Sequence, residues 1–115
     1  MPPLKDSDVA RFWAGVIKTP GCWVWRRATN QGGYGQFHYG GHRFAAHRIS
    51  LLIAGNPPTQ NQEVDHLCRV RACVRPDHLE SVSKAENIAR AQQVWIDNHP
   101  QEYLRRRRLY VAGFR

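Results

Sequence analysis

The sequence predicts an α+β fold organised on a strand–loop–strand–helix unit, and three observations carry that reading. Two short strand-forming stretches, Glu63 to Leu67 and Leu79 to Val82, flank a loop that carries Cys68, Cys73 and His78. Ser83-Lys84-Ala85-Glu86 then matches the S-x-x-E capping box, so a helix starts at Ser83 and runs to about Asn98. Upstream, Gly40-Gly41 between two short strand-forming runs is a two-residue hairpin signal. A chain of 115 residues fits one domain, residues 1–115, with its ββα core at about 63–98 and a basic C-terminal segment at 99–115.

The remaining elements follow from local pattern. Val9, Phe12, Trp13 and Val16 recur at helical spacing, which predicts a helix over residues 5–18 with Ser7 as N-cap and a stop before Pro20. Cys22 to Arg26 is rich in strand formers, and Thr29 to Gly33 reads as a turn. Tyr34 to Tyr39 and His42 to Ala45 form the hairpin around Gly40-Gly41. Ile49, Leu52 and Ile53 share one face of a helix over Ala46 to Ala54, closed by Gly55 and Pro57-Pro58. Gln101 to Tyr110 forms a last helix carrying Arg105 to Arg108. The aromatic residues Trp23, Trp25, Tyr34, Phe37 and Tyr39 are assigned to the hairpin core rather than to base stacking.

Composition narrows the function classes. Hydrophobic residues make up 42% of the chain, which is globular, and 17 Lys+Arg against 9 Asp+Glu leave a formal charge of +8. That balance favours a polyanion, nucleic acid before membrane. No stretch reaches the ~18 apolar residues of a membrane span, and the N-terminal stretch lacks a signal peptide's apolar core. A soluble, cytoplasmic protein is expected. Three cysteines are an awkward count for disulfides and a natural one for a Cys3His metal site.

The loop chemistry divides into soft and hard donors. Cys68, Cys73 and His78 follow at C-x4-C-x4-H spacing, which suits loop ligands gathered on one Zn2+. Asp65 and Asn87 offer oxygen ligands to a hard ion, Mg2+ or Mn2+. His66 stands between these sets, and its imidazole titrates where a water must be deprotonated near neutral pH. Each has a plainer alternative: buried cysteines, a core histidine, an Asp65 that orients His66 or an arginine, and an Asn87 that only caps its helix.

These segments resemble the HNH endonucleases of phages and mobile introns, within the ββα-metal (His-Me finger) nucleases. GCWVW, GYGQF, FAAHR and VDHLCRVRACVRPDHLESVSKAENIAR carry the likeness, over roughly Gly21 to Arg90. The C-x4-C-x4-H after His66 also resembles the His-Cys box homing endonucleases, in which an upstream Cys completes a structural zinc site. There, an Asn 21 residues after the His binds the catalytic metal, and Asn87 stands at that distance from His66. The middle letter of the HNH name falls on His78 rather than on Asn, and no cysteine follows Cys73 to build a second zinc site.

The resemblance implies a metal-dependent DNA endonuclease with a zinc-stapled ββα-metal core, an N-terminal β-hairpin sheet and flanking helices. His66 would be the general base and Asn87, with Asp65, would hold Mg2+ or Mn2+. Cys22 would be the fourth zinc ligand beside Cys68, Cys73 and His78. Arg43 is placed near the scissile phosphate by a loose alignment, and His47 and Arg48 of the AHR segment are expected at DNA phosphates or in support of the fold. Arg69, Arg71, Arg75, Arg105 and Arg106 are expected on the backbone of double-stranded DNA, against the plain reading of a solvated charged face. Cleavage would leave 5′-phosphate and 3′-hydroxyl ends, in the cytoplasm of a bacterium or a phage-infected host. A monomer would nick and a symmetric homodimer would cut both strands. The rival class is a non-catalytic, zinc-stabilised DNA-binding module.

Overall fold

In the computed structural model, which describes residues 2–111, four α helices and three two-stranded sheets follow one another in a mixed α+β order. The elements are α1 (Asp6–Ala14), β1 (Val16–Lys18), β2 (Trp23–Trp25), β3 (Gln36–Tyr39), β4 (His42–Ala45), α2 (Ala46–Ile53), β5 (Gln62–His66), β6 (Leu79–Ser83), α3 (Lys84–Asn98) and α4 (Pro100–Val111), with a 3₁₀ turn at Pro76–His78. The chain divides after Val82 into two compact units. Residues 112–115 of the expected basic segment lie outside the described residues.

The first unit is held by an aromatic core. Phe12, Trp25 and Phe37 are buried, with Phe12 edge-on to Phe37 at 5.2 Å between centroids and tilted on Trp25 at 5.1 Å. Tyr39, Ala46, Ile49 and Val74 complete it. Pairs of this kind contribute about 0.5–1.5 kcal/mol each beyond their burial. The Trp25 indole is satisfied by donating to Ala28 O at 3.0 Å. The allotment of Trp25, Phe37 and Tyr39 to the core holds, whereas Trp23 and Tyr34 are only half-buried.

Two sequence expectations about the N-terminus are corrected. Residues 16–18 do not continue α1: Gly15 ends the helix, and β-branched Val16 and Ile17 enter β1, where Val16 pairs with Trp25 and Lys18 with Trp23 in antiparallel register. Nor is Ser7 the N-cap. It lies inside the helix, and the cap position is Lys5, whose N–H donates to the Asp8 carboxylate at 3.0 Å.

The hairpin β3–β4 pairs Gln36 with Ala45 and Tyr39 with His42. Gly40 and Gly41 have φ of +58° and +78°, the left-handed pair that a two-residue hairpin loop requires. Before it, the Asn30 side chain accepts from the N–H groups of Gly32 and Tyr34, both at 3.0 Å, and shapes the turn that presents Tyr34. β5 pairs with β6 across the cysteine loop, so strand, loop, strand and helix follow in the expected chain order.

The second unit contains α3 and α4. Ser83 caps α3 by accepting from Glu86 N–H at 3.1 Å, as the S-x-x-E pattern predicts. Trp95 stacks on His99 at 4.6 Å, and the Arg106 guanidinium lies 4.8 Å from the Trp95 ring centre. Arg105 and Arg106 reach Glu102 at 3.0 and 3.4 Å.

A test of the first unit's packing lies at Gly35, where a Cβ would sit 2.5 Å from Trp25 Cδ1 and 3.0 Å from the Ala46 Cβ. Gly35→Ala is expected to destabilise the protein by about 1–3 kcal/mol through overpacking, read as a lower urea midpoint at unchanged slope. An unchanged midpoint would show that Trp25 can give way.

Candidate functional site

The site begins with how a cysteine at position 22 meets a loop fifty residues further on. β2 carries a second partner beside β1: Trp25 N–H donates to Ala72 O at 2.8 Å and Val74 N–H donates to Trp23 O at 2.7 Å. Val24 and Cys73 form a bridge in the same register. Arg75 fastens the turn before β2 by donating to Pro20 O and Gly21 O, each at 2.7 Å, and lies 5.5 Å from the Trp23 ring centre. On the other side Leu67 N–H donates to His78 O at 2.8 Å, which holds the 3₁₀ turn beside the end of β5.

These bonds bring Cys22, Cys68, Cys73 and His78 together, with their ligand atoms all within 4.8 Å of one another. His78 Nδ1 is 3.5 Å from Cys73 Sγ and 3.7 Å from Cys22 Sγ. Burial, reinforced by the thiols of Cys73 and Cys68, pushes the Cys22 thiol up to about 12. The Cys22 thiol thus resists ionisation without a cation beside it, and a cation would reverse the balance. The four can hold a metal ion.

His66 ends β5 and is 6% exposed. Its Nε2 lies 3.1 Å from Cys73 O, and because a carbonyl only accepts, Nε2 carries the proton. Nδ1 therefore keeps its lone pair in the neutral ring. Burial holds the His66 pKa below the usual value, opposed by the Cys73 bond and Asp65 and supported by the Arg71 charge. The imidazole is neutral and basic at Nδ1, the form a proton acceptor needs.

Two further rings stand against it. His47, from the first turn of α2, meets His66 edge to face at 4.8 Å and 74°, and Tyr34 is tilted on His66 at 5.6 Å and on His47 at 5.7 Å. Arg71 donates to Gly32 O at 2.9 Å and places its guanidinium 5.4 Å from the Tyr34 ring centre. The His47 Nδ1 is buried with no hydrogen-bond partner among the described residues. Tyr34 was not expected in the site. The GYGQF segment marks it in the sequence, but its aromatic character alone does not separate a site residue from a core one.

The other expected residues fall in different settings. Asp65, 6% exposed, accepts from Arg69 Nη1 at 2.9 Å. Arg69 itself takes a left-handed φ of +61° as its N–H closes a turn onto His66 O at 3.0 Å. Arg48 donates to Gln62 O at 3.0 Å and to Thr59 O at 3.1 Å, which fixes the turn before β5. Arg43 is exposed on β4 opposite His38. Asn87 lies in the first turn of α3, and Arg105 and Arg106 are exposed on α4, all in the second unit.

His66 and three of the four cluster residues, Cys68, Cys73 and His78, fall within a segment that a known family also shares. Residues 44–89 match the HNH endonuclease family model. The resemblance read from the VDHLCRVRAC segment is thereby borne out, and the HNH segment takes in His47, Asp65, His66, Cys68, Cys73, His78 and Asn87. Cys22, Tyr34 and Arg43 lie before it. The chain is also similar to Protein 2.8 of Escherichia phage T7, at 34% identity over 86 residues. That match covers 73% of this chain and 56% of the phage protein, so the chain spans about half the length of its relative. No solved structure shows a significant match. Among the described residues, no helix is long and apolar enough to cross a membrane.

The packed pair of His47 and His66 makes a pH test available. Burial first, then His66 and Arg48, lower the His47 pKa from 6.5 to about 3. Between those values the unfolded chain binds a proton that the folded chain refuses. This contribution therefore leaves stability intact above about pH 6.5 and erodes it as pH falls towards 3. His47→Phe is expected to flatten the fall of Tm in that window relative to the wild type. Parallel curves for the two proteins would refute the assignment.

Proposed function

We propose that this chain is a metal-dependent DNA endonuclease of the HNH type, acting through a ββα-metal core within one domain. The observation that carries the reading is the His66–Cys73 bond: it leaves Nδ1 as the available base of a neutral, buried imidazole inside the segment shared with HNH endonucleases.

In this mechanism His66 Nδ1 removes a proton from the attacking water. As the ring becomes an imidazolium, its Nε2–H bond to Cys73 O becomes charge-assisted and stronger, which offsets part of the cost of charging a buried group. Asn87 and Asp65 would hold Mg2+ or Mn2+, which when bound supplies positive charge at the scissile phosphate and leaving oxygen. Arg43, exposed on β4, would clamp that phosphate. Arg69 and Arg71 on the loop and Arg105 and Arg106 on α4 would contact the DNA backbone, giving salt-dependent affinity. Products would be 5′-phosphate and 3′-hydroxyl ends.

The metal of the cluster would be Zn2+. Bonds of about 2.3 Å to sulfur and about 2.0–2.1 Å to nitrogen in a tetrahedron put S and N about 3.6 Å apart. The separations from His78 Nδ1 to Cys73 and Cys22, 3.5 and 3.7 Å, fit that figure. Four protein ligands close the site, so this ion would hold the loop and take no part in hydrolysis.

One observation favours the rival reading of a non-catalytic, zinc-stabilised DNA-binding module: the Asp65 carboxylate is already paired with Arg69. The two readings part in a supercoiled-plasmid assay with Mg2+, Mn2+ or EDTA. His66→Ala is expected to lose about 10²–10⁴-fold in cleavage rate while still shifting plasmid on a gel. A wild type that shifts plasmid and cleaves it with neither metal would leave the binding module standing.

A second experiment addresses the cluster. Native mass spectrometry is expected to find one zinc per chain in the wild type and none in Cys73→Ala. Loss of metal-coupled folding energy should lower Tm by at least about 10 °C, since each kcal/mol is worth about 4–8 °C in a small domain. A Cys73→Ala protein with the wild-type Tm would exclude a structural metal there.

A further inference from the structure

We propose that Tyr34 and His47 are positioning residues for His66, fixing the plane and tautomer of its ring rather than contacting DNA. This rests on the reading of His66 as general base. An imidazole anchored by one hydrogen bond, Nε2 to Cys73 O, can still pivot about that bond, and its ring can flip to exchange the two nitrogens. What resists both motions is contact with its faces and edges.

The structure supplies those contacts from two separate elements. His47 projects from the start of α2 and meets His66 at 4.8 Å, nearly perpendicular at 74°. Tyr34 comes from the turn before β3, and its ring touches both imidazoles at 5.6 and 5.7 Å. The three rings form a closed triangle, and each corner is braced independently. His66 is held by the Cys73 carbonyl, Tyr34 by Asn30 Oδ1 accepting from its N–H and by Arg71 near its ring, and His47 by the helix itself. Arg71 is in turn tied to Gly32 O, so it braces the aromatic wall while its charge remains beside the site.

His47 also lacks the positive charge that makes a strong phosphate ligand. Its Nδ1 is buried and touches no polar partner among the described residues, and burial beside His66 and Arg48 keeps the ring uncharged. A half-buried, uncharged ring brings no positive charge to a phosphate oxygen. It offers a rigid edge to the neighbouring imidazole.

The test uses the full chain loaded with zinc, and variants His47→Ala, His47→Phe, Tyr34→Ala and Tyr34→Phe. Long-range ¹H–¹⁵N correlation spectra report which nitrogen of His66 bears the proton, whether or not the protein cuts DNA. Wild type is expected to show a single tautomer protonated at Nε2. His47→Ala and Tyr34→Ala should show mixed or averaged His66 signals, and the two Phe variants should restore the single tautomer. In single-turnover cleavage of plasmid, the alanine variants should lose at least about tenfold in rate with unchanged DNA affinity, and the Phe variants should recover it.

A pure His66 Nε2–H tautomer in a folded alanine variant that cleaves at the wild-type rate would overturn the proposal. So would a His47→Ala or Tyr34→Ala protein that keeps its rate but binds DNA more weakly, since that marks a DNA contact. If an alanine variant does not fold, the Phe variants decide: a folded Phe variant with mixed His66 tautomers overturns the ring-packing role. If the wild type cuts no DNA with any metal, the endonuclease reading fails, and the spectra alone still decide between a braced and an unbraced His66.

Discussion

The backbone of residues 72–74 adds to β2 through two hydrogen bonds, Trp25 N–H to Ala72 O and Val74 N–H to Trp23 O, and the site depends on that short pairing. It carries the cysteine loop to the N-terminal strands, so Cys22 and Cys73 can share one cluster although they are far apart in sequence. It also fixes the direction of the Cys73 peptide. Cys73 thereby serves two neighbours: its thiol lies in the Cys3His cluster, and its carbonyl accepts from His66 Nε2. A shift of the loop would move both at once. The Cys3His cluster and His66 are therefore coupled through a single residue, and the histidine's tautomer is set by main chain rather than by a carboxylate.

That coupling explains why the sequence was informative about the loop and less so about its surroundings. Spacing alone marks Cys68, Cys73 and His78, because residues of one loop that could share a metal ion recur at short intervals. Likewise the left-handed φ at Gly40-Gly41 and the Ser83 cap are local devices with local signatures. What the sequence hid is tertiary. Val16 and Ile17 fit a helical period until pairing with β2 claims them for a strand. Asp8 reaching back to Lys5 overrides the better intrinsic capping residue, Ser7. Tyr34 reads as one more hairpin aromatic, and only the turn shaped by Asn30 turns it towards two histidines.

The arginines show the same limit. A surplus of basic residues points to a polyanion, yet a guanidinium satisfied by carbonyls is scaffold before it is interface. Arg11 donates to His38 O and covers the Phe37 ring, Arg48 holds two carbonyls before β5, and Arg75 holds two before β2. Five planar donors make arginine suited to this task, since it can bind main chain and stack on a ring in one geometry. Charge counted from the sequence therefore overstates the surface open to phosphate.

Arg71 joins these two uses. It is fixed to Gly32 O, lies near Tyr34, and helps hold His66 uncharged. A positive charge beside a neutral base disfavours premature protonation of that base from solvent. The same charge would attract a phosphate, whose arrival would partly cancel its effect on His66 and raise the ring's basicity as the reacting group comes close. The loop thus places one arginine, bonded to main chain, where its charge lowers the basicity of His66.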